Sequence, residues 1–562
     1  MFIRDTETDK YLRSSSADQG VYDFMGAHDG GAFVCFRFFA PEADAVYLVA
    51  SFNEWSENTP MSRCGYEGVW EACVPHDEMR VGDTYKYKLY MGGKVFYKTD
   101  PYARMATSSP YYNAVICNET EYVWNDGVWL SRRADAYGQG NSHYPMHIYE
   151  VELCNWKRHA DGSFLSYTEL ADELIPYIKQ MGYTHVLVTG LFERCFDDQS
   201  QSETVEYYAP TSKHGTPQEL MALVDRAHIC GIGVLLDWSI RKRDLIDENV
   251  KKLRLCGIDF ESYLLSNLIY WADKYHIDGI KTSGICPERA SFFHDIVWYM
   301  KERKPDFIMI ADCRSDIIER LGFDIVVNNA WSDAALSYVE KDIDTRSVDD
   351  IMSCAPYRQG GLLAISDKHV LPGKKTLIGK MTGDYWRKFA GARAALAYQM
   401  MSHGKKLTVM GNEVGQYKEW GSEVEWHLLE YANHAAFQLY CSNLNALYLK
   451  YPQLWCEGGE NDCCVTAKVS DNVICIKRSS HDGAELAAVI NFSHHTHNDF
   501  CISVDRTGLW QEVFNSDDKK YGGSGVTNTD DKLSSLETCS GEYALKFTLP
   551  PLAVTVFEHT GK

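Results

Sequence analysis

The 562-residue chain has no apolar run approaching the ~20 residues that span a bilayer. Its first twenty residues carry no apolar core of signal-peptide length. Neither a membrane span nor a secretory leader is expected. It has no polybasic run, and 56 Lys and Arg against 78 Asp and Glu leave a net charge of −22. That balance speaks against a nucleic-acid backbone or an acidic membrane surface as partner. None of the 18 cysteines stands in a Cys-x-x-Cys pair, and they are scattered through apolar segments, as at Cys35, Cys73, Cys154 and Cys475. Free thiols in a reducing cytoplasm are the expectation, with a disulfide framework as the lesser alternative. There is no His-Glu-x-x-His, P-loop or dinucleotide fingerprint, so no cofactor or metal is expected. Low-complexity tracts and long linkers are also missing.

What is present is a large globular chain, too long for one ordinary domain. Hydrophobic residues are 45% and charged residues 24%, an ordinary globular balance. The 35 Tyr and 14 Trp suit either a large core or aromatic faces that meet sugar rings. After a lead over 1–20, short alternating segments such as FVCFRFFA, AVYLVASF, GVWEACVP and TYKYKLYM fill 21–125. They predict an antiparallel β-sandwich. A polar, irregular connection is expected over 126–147. From 148 to 453, eight apolar strand candidates alternate with helical patterns. They begin at Ile148, His185, Gly233, Gly279, Ile308, Asp324, Leu362 and Leu407. Thr216, Pro217 and Gly231 supply cap, first turn and stop for one intervening helix. This alternation predicts a (β/α)8 TIM barrel. Residues 454–562 return to short strands, a second β-sandwich. The fold class is therefore multidomain α/β plus all-β, a central barrel flanked by two sandwiches.

The stretch Tyr275–Gly284, YHIDGIKTSG, organises the barrel. Asp278-Gly279 reads as a turn into the strand. Lys281 and Ser283, two apart, share one strand face. The C-terminal strand ends of such a barrel carry its chemistry.

Motifs along nearly the whole chain resemble the glycogen (1,4-α-glucan) branching enzymes of the α-amylase superfamily. They include SFNEW at Ser51, YKYK at Tyr85, KTDPYA at Lys98, IYEVEL at Ile148 and YYAPTSKHGTPQEL at Tyr207. KMTGDYWRKFAGAR at Lys380 and EVFNSDDKKYGGSGVTN at Glu512 extend the match. The resemblance implies retaining glycosyl transfer, which needs a carboxylate nucleophile and a carboxyl acid ~5–5.5 Å away. It also implies where those groups belong, and there the chain departs. The nucleophile's place holds Ser283 and the preceding arginine's place holds Lys281. The general acid's place keeps a shorter carboxyl, Asp312, next to Cys313. The third carboxylate's place holds Lys368, between Asp367 and His369. After Asp237-Trp238 the family's histidine falls on Lys242. The family's stacking tyrosine motif falls on Ser200, Gln201 and Ser202. Two groove-building stretches look short, between Trp238 and Tyr263 and between Ser283 and Phe292.

The resemblance thus implies a branching-enzyme-like protein with the glycosyl-transfer groups replaced. One reading is a non-catalytic α-glucan-binding or scaffolding protein, with glycogen or starch and their active enzymes as partners. The other is an enzyme, either a branching enzyme or a glycosidase with altered chemistry. Within the second, Ser283 with Lys281 forms a Ser-Lys pair, or Asp237, Asp312 and Asp367 supply an acid and a base. The N-terminal module resembles starch-binding modules, which implies Trp55 and Lys88 as sugar contacts and Phe96 as the second aromatic. A sandwich-core role is the alternative for Trp55. The His494-His495-x-His497 run reads as a solvated loop before a metal tract.

Overall fold

The computed structural model describes residues 21–108, 112–117, 122–138, 144–195, 204–240, 260–313, 318, 320–352, 361–456, 463–480, 483–528, 533–537 and 543–561. The chain forms two compact units. One is Met1–Ala134, Arg158–Ile175 and Val188–Phe323; the other is Asp135–Lys157, Pro176–Leu187 and Asp324–Lys562.

Eight parallel strands close a barrel in chain order: His147–Glu152, His185–Thr189, Gly233–Asp237, Gly279–Ser283, Ile308–Asp312, Ile325–Val327, Gly361–Ile365 and Lys405–Val409. They are the eight expected from the sequence. Each is a run of nearly continuous burial, as parallel strands covered on both faces require. Helix Pro217–Ile229 begins with the expected cap. The Thr216 hydroxyl accepts from the Glu219 backbone at 3.3 Å, and the Glu219 carboxylate accepts from the Thr216 backbone at 2.7 Å.

In the first unit, two sheets make the N-terminal sandwich. One runs Gly26–Asp29, Phe33–Phe39, Val69–Pro75 and Ser62–Arg63; the other holds Ala45–Ala50, Thr84–Met91, Lys94–Lys98 and Ala114–Val115. Alternation sends Val34, Phe36 and Phe38 inward against Leu48, Tyr87 and Leu89. In the second unit, a six-stranded and a three-stranded sheet pack around Trp510, Val489 and Phe557. No helix among the described residues is long and apolar enough to cross a membrane.

Three expectations change. Cys35 and Cys73 are not free thiols; they form a disulfide. They face each other directly across the antiparallel pair, with Cα atoms 4.1 Å apart, a register that scattered cysteines do not reveal. Alkylation without reduction should label two fewer cysteines than after reduction, read by intact mass. Equal labelling would contradict the bridge. Because the bridge closes a loop of 38 residues, its reduction should cost the module about 2–4 kcal/mol.

The segment expected to be irregular holds an α-helix, Gly127–Tyr137. It exists to deliver Trp129 and Arg133, one turn apart, to Asp278. Asp278-Gly279 is likewise no surface turn. Asp278 is fully buried at the start of barrel strand four. It accepts from Trp129 Nε1 at 2.7 Å, Arg133 at 2.9 Å, His228 Nε2 at 3.0 Å and the Val234 backbone at 2.6 Å. Gly279 is required by space: a Cβ there would lie 2.3 Å from the Ile308 carbonyl oxygen of the neighbouring strand.

Candidate functional site

In the first unit, strand three ends at Asp237, strand four at Ser283 and strand five at Asp312. Their register sets Lys281 beside Asp237 and Ser283 beside Asp312. Lys281 is buried; Asp237, Ser283 and Asp312 are half-buried. The Ser283 hydroxyl donates to Ser239 Oγ at 2.9 Å, and Ser239 Oγ donates to Asp237 Oδ1. Ser283 therefore spends its proton on another alcohol rather than pairing with Lys281. An alcohol that donates to a second alcohol has no base in direct contact to make it a nucleophile. Cys313 donates weakly to the Ile285 carbonyl at 3.4 Å.

In the second unit, strand seven runs into the short turn Asp367–His369. His369 Nδ1 accepts from the Ser366 backbone at 3.0 Å, and Glu150 Oε2 accepts from the Asp367 backbone at 2.7 Å. Lys368 Nζ donates to the Asn329 amide oxygen. Lys374 Nζ reaches the Lys368 carbonyl at 2.9 Å. Past strand eight lies a carboxyl that sequence reasoning missed. Glu413 is buried and accepts from Tyr149 at 2.7 Å and Tyr177 at 2.9 Å. Burial pushes its carboxyl up, against the pull of the two phenols. Its place directly after the strand, in LTVMGNE, was the available signal. Lys242 and Ser200–Ser202 lie outside the described residues.

The N-terminal module presents a second arrangement. Trp55 is 42% exposed and so is not a core residue. The SFNEW segment holds it out. The Asn53 side chain accepts from the Ala50 backbone at 2.9 Å and donates to the Leu48 carbonyl at 2.9 Å. Glu54 and Trp55 then take left-handed backbone, φ 55° and 59°, strained for residues with a Cβ. Lys88 bonds Glu57 Oε1 at 2.5 Å, and Tyr90 donates to the same oxygen at 2.8 Å. Those two bonds hold the Glu57 carboxyl below its ordinary range. Phe96 packs against the sandwich core. The exposed ring is its neighbour Tyr97, 58% open, with Lys88 Nζ 5.4 Å from the ring centre. Register explains the difference: Leu89 faces Phe96, and Lys88 faces Tyr97.

The His494 and His495 rings lie 3.9 Å apart between centres, but with His497 they form no three-ligand group among the described residues. His494 lies 3.6 Å from Asp344, and His497 meets Ser493 at 3.3 Å. Among the described residues, the one His/Cys/Asp/Glu group close enough to hold a metal is Cys35, Glu71 and Cys73, whose sulfurs bond each other.

Two family models match this chain. Carbohydrate-binding module 48 (isoamylase N-terminal domain) covers residues 24–103, and the alpha amylase C-terminal all-beta domain covers 466–560. The 1,4-alpha-glucan branching enzyme of Aquifex aeolicus is 32% identical over 630 aligned positions, spanning 99% of this chain and 99% of its own. That of Halothermothrix orenii is 32% identical over 98% of each chain. The chain belongs to the 1,4-α-glucan branching enzyme family. Solved structures at 13–15% identity share its fold. A Paenibacillus barengoltzii pullulanase in complex with maltohexaose and alpha-cyclodextrin gives a TM-score of 0.70, covering 100% of this chain and 98% of that one. The catalytic module of the pneumococcal glycogen-degrading factor SpuA gives 0.73, covering 99% and 98%. Against the Aquifex branching enzyme, 630 aligned positions meet only 562 residues. The relative therefore carries insertions that this branching-enzyme-family chain lacks.

Proposed function

We propose that this branching-enzyme-family protein binds α-glucan without transferring glycosyl groups. The observation that carries the proposal is the end of strand four. Ser283 stands where the family resemblance puts the nucleophile, and its hydroxyl is tied to Ser239 and through it to Asp237. A neutral alcohol held this way cannot form and release a glycosyl ester as a carboxylate does. Lys368, at the third carboxylate's position, is engaged by Asn329. The shorter chain is consistent with a reduced substrate groove. A scaffolding role beside active glycogen or starch enzymes fits this reading.

Glucan binding is placed on the N-terminal module, at Trp55, Tyr97 and Lys88. Trp55 and Tyr97 are exposed aromatic faces, and the Tyr97 ring lies beside the Lys88 ammonium, groups that suit the apolar faces and hydroxyls of sugars. Affinity of a single such face is weak, about millimolar. In native gels containing glycogen, the wild type should be retarded. Trp55→Ala or Tyr97→Ala should weaken the apparent Kd about tenfold, and Phe96→Leu should not. Retardation unchanged in folded Trp55→Ala and Tyr97→Ala proteins would move the site elsewhere. Amylose incubated with the same preparation should keep its iodine spectrum.

A further inference from the structure

We infer that Tyr385, Tyr417 and Tyr431 form a second α-glucan-binding surface, separate in sequence from the N-terminal module and used to hold a stretch of polysaccharide chain. The inference rests on the glucan-binding reading above.

The three tyrosines come from three elements of the second unit. Tyr385 opens helix Tyr385–Met401, whose first turn is fixed by Asp384 accepting from the Arg387 backbone at 2.9 Å. Tyr417 lies beyond strand eight, where Glu425 accepts from the Tyr417 and Lys418 backbones at 2.9 and 3.0 Å. Tyr431 directly precedes helix Ala432–Lys450. All three rings gather around His434, at 6.1, 6.4 and 6.4 Å between centres. His434 is buried and anchored through Nδ1 to the Val414 carbonyl at 2.7 Å. Any two of the tyrosine rings therefore lie within twice that distance, the span of a few sugar rings.

The outer sides are open: Tyr385 is 45%, Tyr417 42% and Tyr431 60% exposed. A gathering of large exposed rings calls for a ligand, where one isolated ring would not. Its chemistry narrows which. Among the described residues the three phenol hydroxyls have no protein hydrogen-bond partner, so each can meet a hydroxyl while its ring meets an apolar face. Lys388 Nζ sits 5.9 Å from the Tyr417 ring centre, adding one more donor. A ligand with alternating C–H faces and hydroxyls fits this surface. The net charge of −22 disfavours nucleic acid, the other ligand that stacks on such rings. A carbohydrate-binding module in the same chain, over residues 24–103, gives the polymer a first foothold. A second foothold on one polymer raises retention beyond either alone.

Native gels containing glycogen test this with the wild type, Trp55→Ala/Tyr97→Ala and four further variants. Tyr385→Ala/Tyr431→Ala should raise the apparent Kd about tenfold. The same pair placed in a Trp55→Ala/Tyr97→Ala background should remove the remaining retardation. Tyr385→Phe/Tyr431→Phe, which keeps the rings, should retain most binding. Tyr417→Ala, on a different element, repeats the test if the double alanine variant melts early. Wild-type retardation of folded Tyr385→Ala/Tyr431→Ala, with Trp55→Ala/Tyr97→Ala retarded no more than the variant carrying all four substitutions, would overturn this surface and leave the glucan-binding reading standing. Loss in the phenylalanine variant equal to that in the alanine variant would also overturn ring stacking here. A wild type that is not retarded at all would end both.

Discussion

Asp278→Asn should destabilise the protein by about 3–5 kcal/mol, the largest loss expected from a single polar substitution in this chain. Asp278 is wholly buried and faces two cations, Arg133 at 2.9 Å and His228 at 3.0 Å. Removing that charge leaves each buried cation with one carboxylate in place of two and turns the Trp129 and Val234 donors toward a neutral amide, which costs more than the pair contributes while intact. Arg133 would keep Asp306 at 2.6 Å, and His228 would keep Asp126 at 2.9 Å. The structure also sets a pH signature. Burial opposes charge on His228, but Asp278 and Asp126 outweigh it and push its pKa up to about 9. Burial raises the Asp278 carboxyl, while His228 and Arg133 outweigh it and hold the group well below the carboxylate range. A raised histidine contributes fully below its unfolded value, ~6.5, and loses the contribution as pH climbs through about 9. A depressed aspartate contributes above its unfolded value, ~3.9, and loses the contribution as pH falls through its folded one. Urea midpoints of the wild type should therefore drop between pH 7 and 10. In Asp278→Asn that alkaline drop should shrink, because His228 loses its strongest partner. A variant as stable as the wild type, with the same alkaline limb, would show that the cluster is not the clamp described.

The second large effect concerns turnover. Replacing an essential member of a catalytic unit costs ~10⁴–10⁶ in rate, and further losses in the same unit add little. Ser283 and Lys368 stand at two carboxylate positions of the family resemblance, so transfer should fall to that floor. Ser283→Asp alone should not restore it. A new carboxylate would land beside Asp312, its register neighbour, with Lys368 still at the third carboxylate's place in the turn Asp367–His369. The carboxyl pair would be restored in position, but Asp312 is one methylene shorter than the family's acid and the third carboxylate would still be missing. The check is glycosyl transfer by the variant, measured alongside the wild type under the same conditions.

The barrel was legible because its strands are short apolar runs alternating with helical patterns, and local and global signals agree. Helix Gly127–Tyr137 was not. Its sequence, GVWLSRRADAY, has little apolar periodicity, and its purpose lies in the spacing of Trp129 and Arg133 toward a residue far along the chain. Asp278-Gly279 looked like a turn because the dipeptide usually is one. Only the approach of the Ile308 backbone shows why glycine is needed. Trp55 and Lys88 could be marked from their motifs. Tyr97 could not, since choosing between adjacent aromatics needs the pairing register of Thr84–Met91 with Lys94–Lys98. The Cys35–Cys73 bridge and the tyrosines around His434 depend on the same kind of non-local information.

The most direct measurement is branch formation on amylose. Purified wild-type protein would be incubated with linear amylose, and α-1,6 branch points counted by debranching and chain-length analysis, with a family member that branches amylose as positive control. The account predicts a branch count equal to that of amylose alone, from the same preparation that glycogen retards in a native gel. New branch points that rise with protein concentration would contradict it, and would return Ser283, Asp312 and Lys368 to the catalytic machinery.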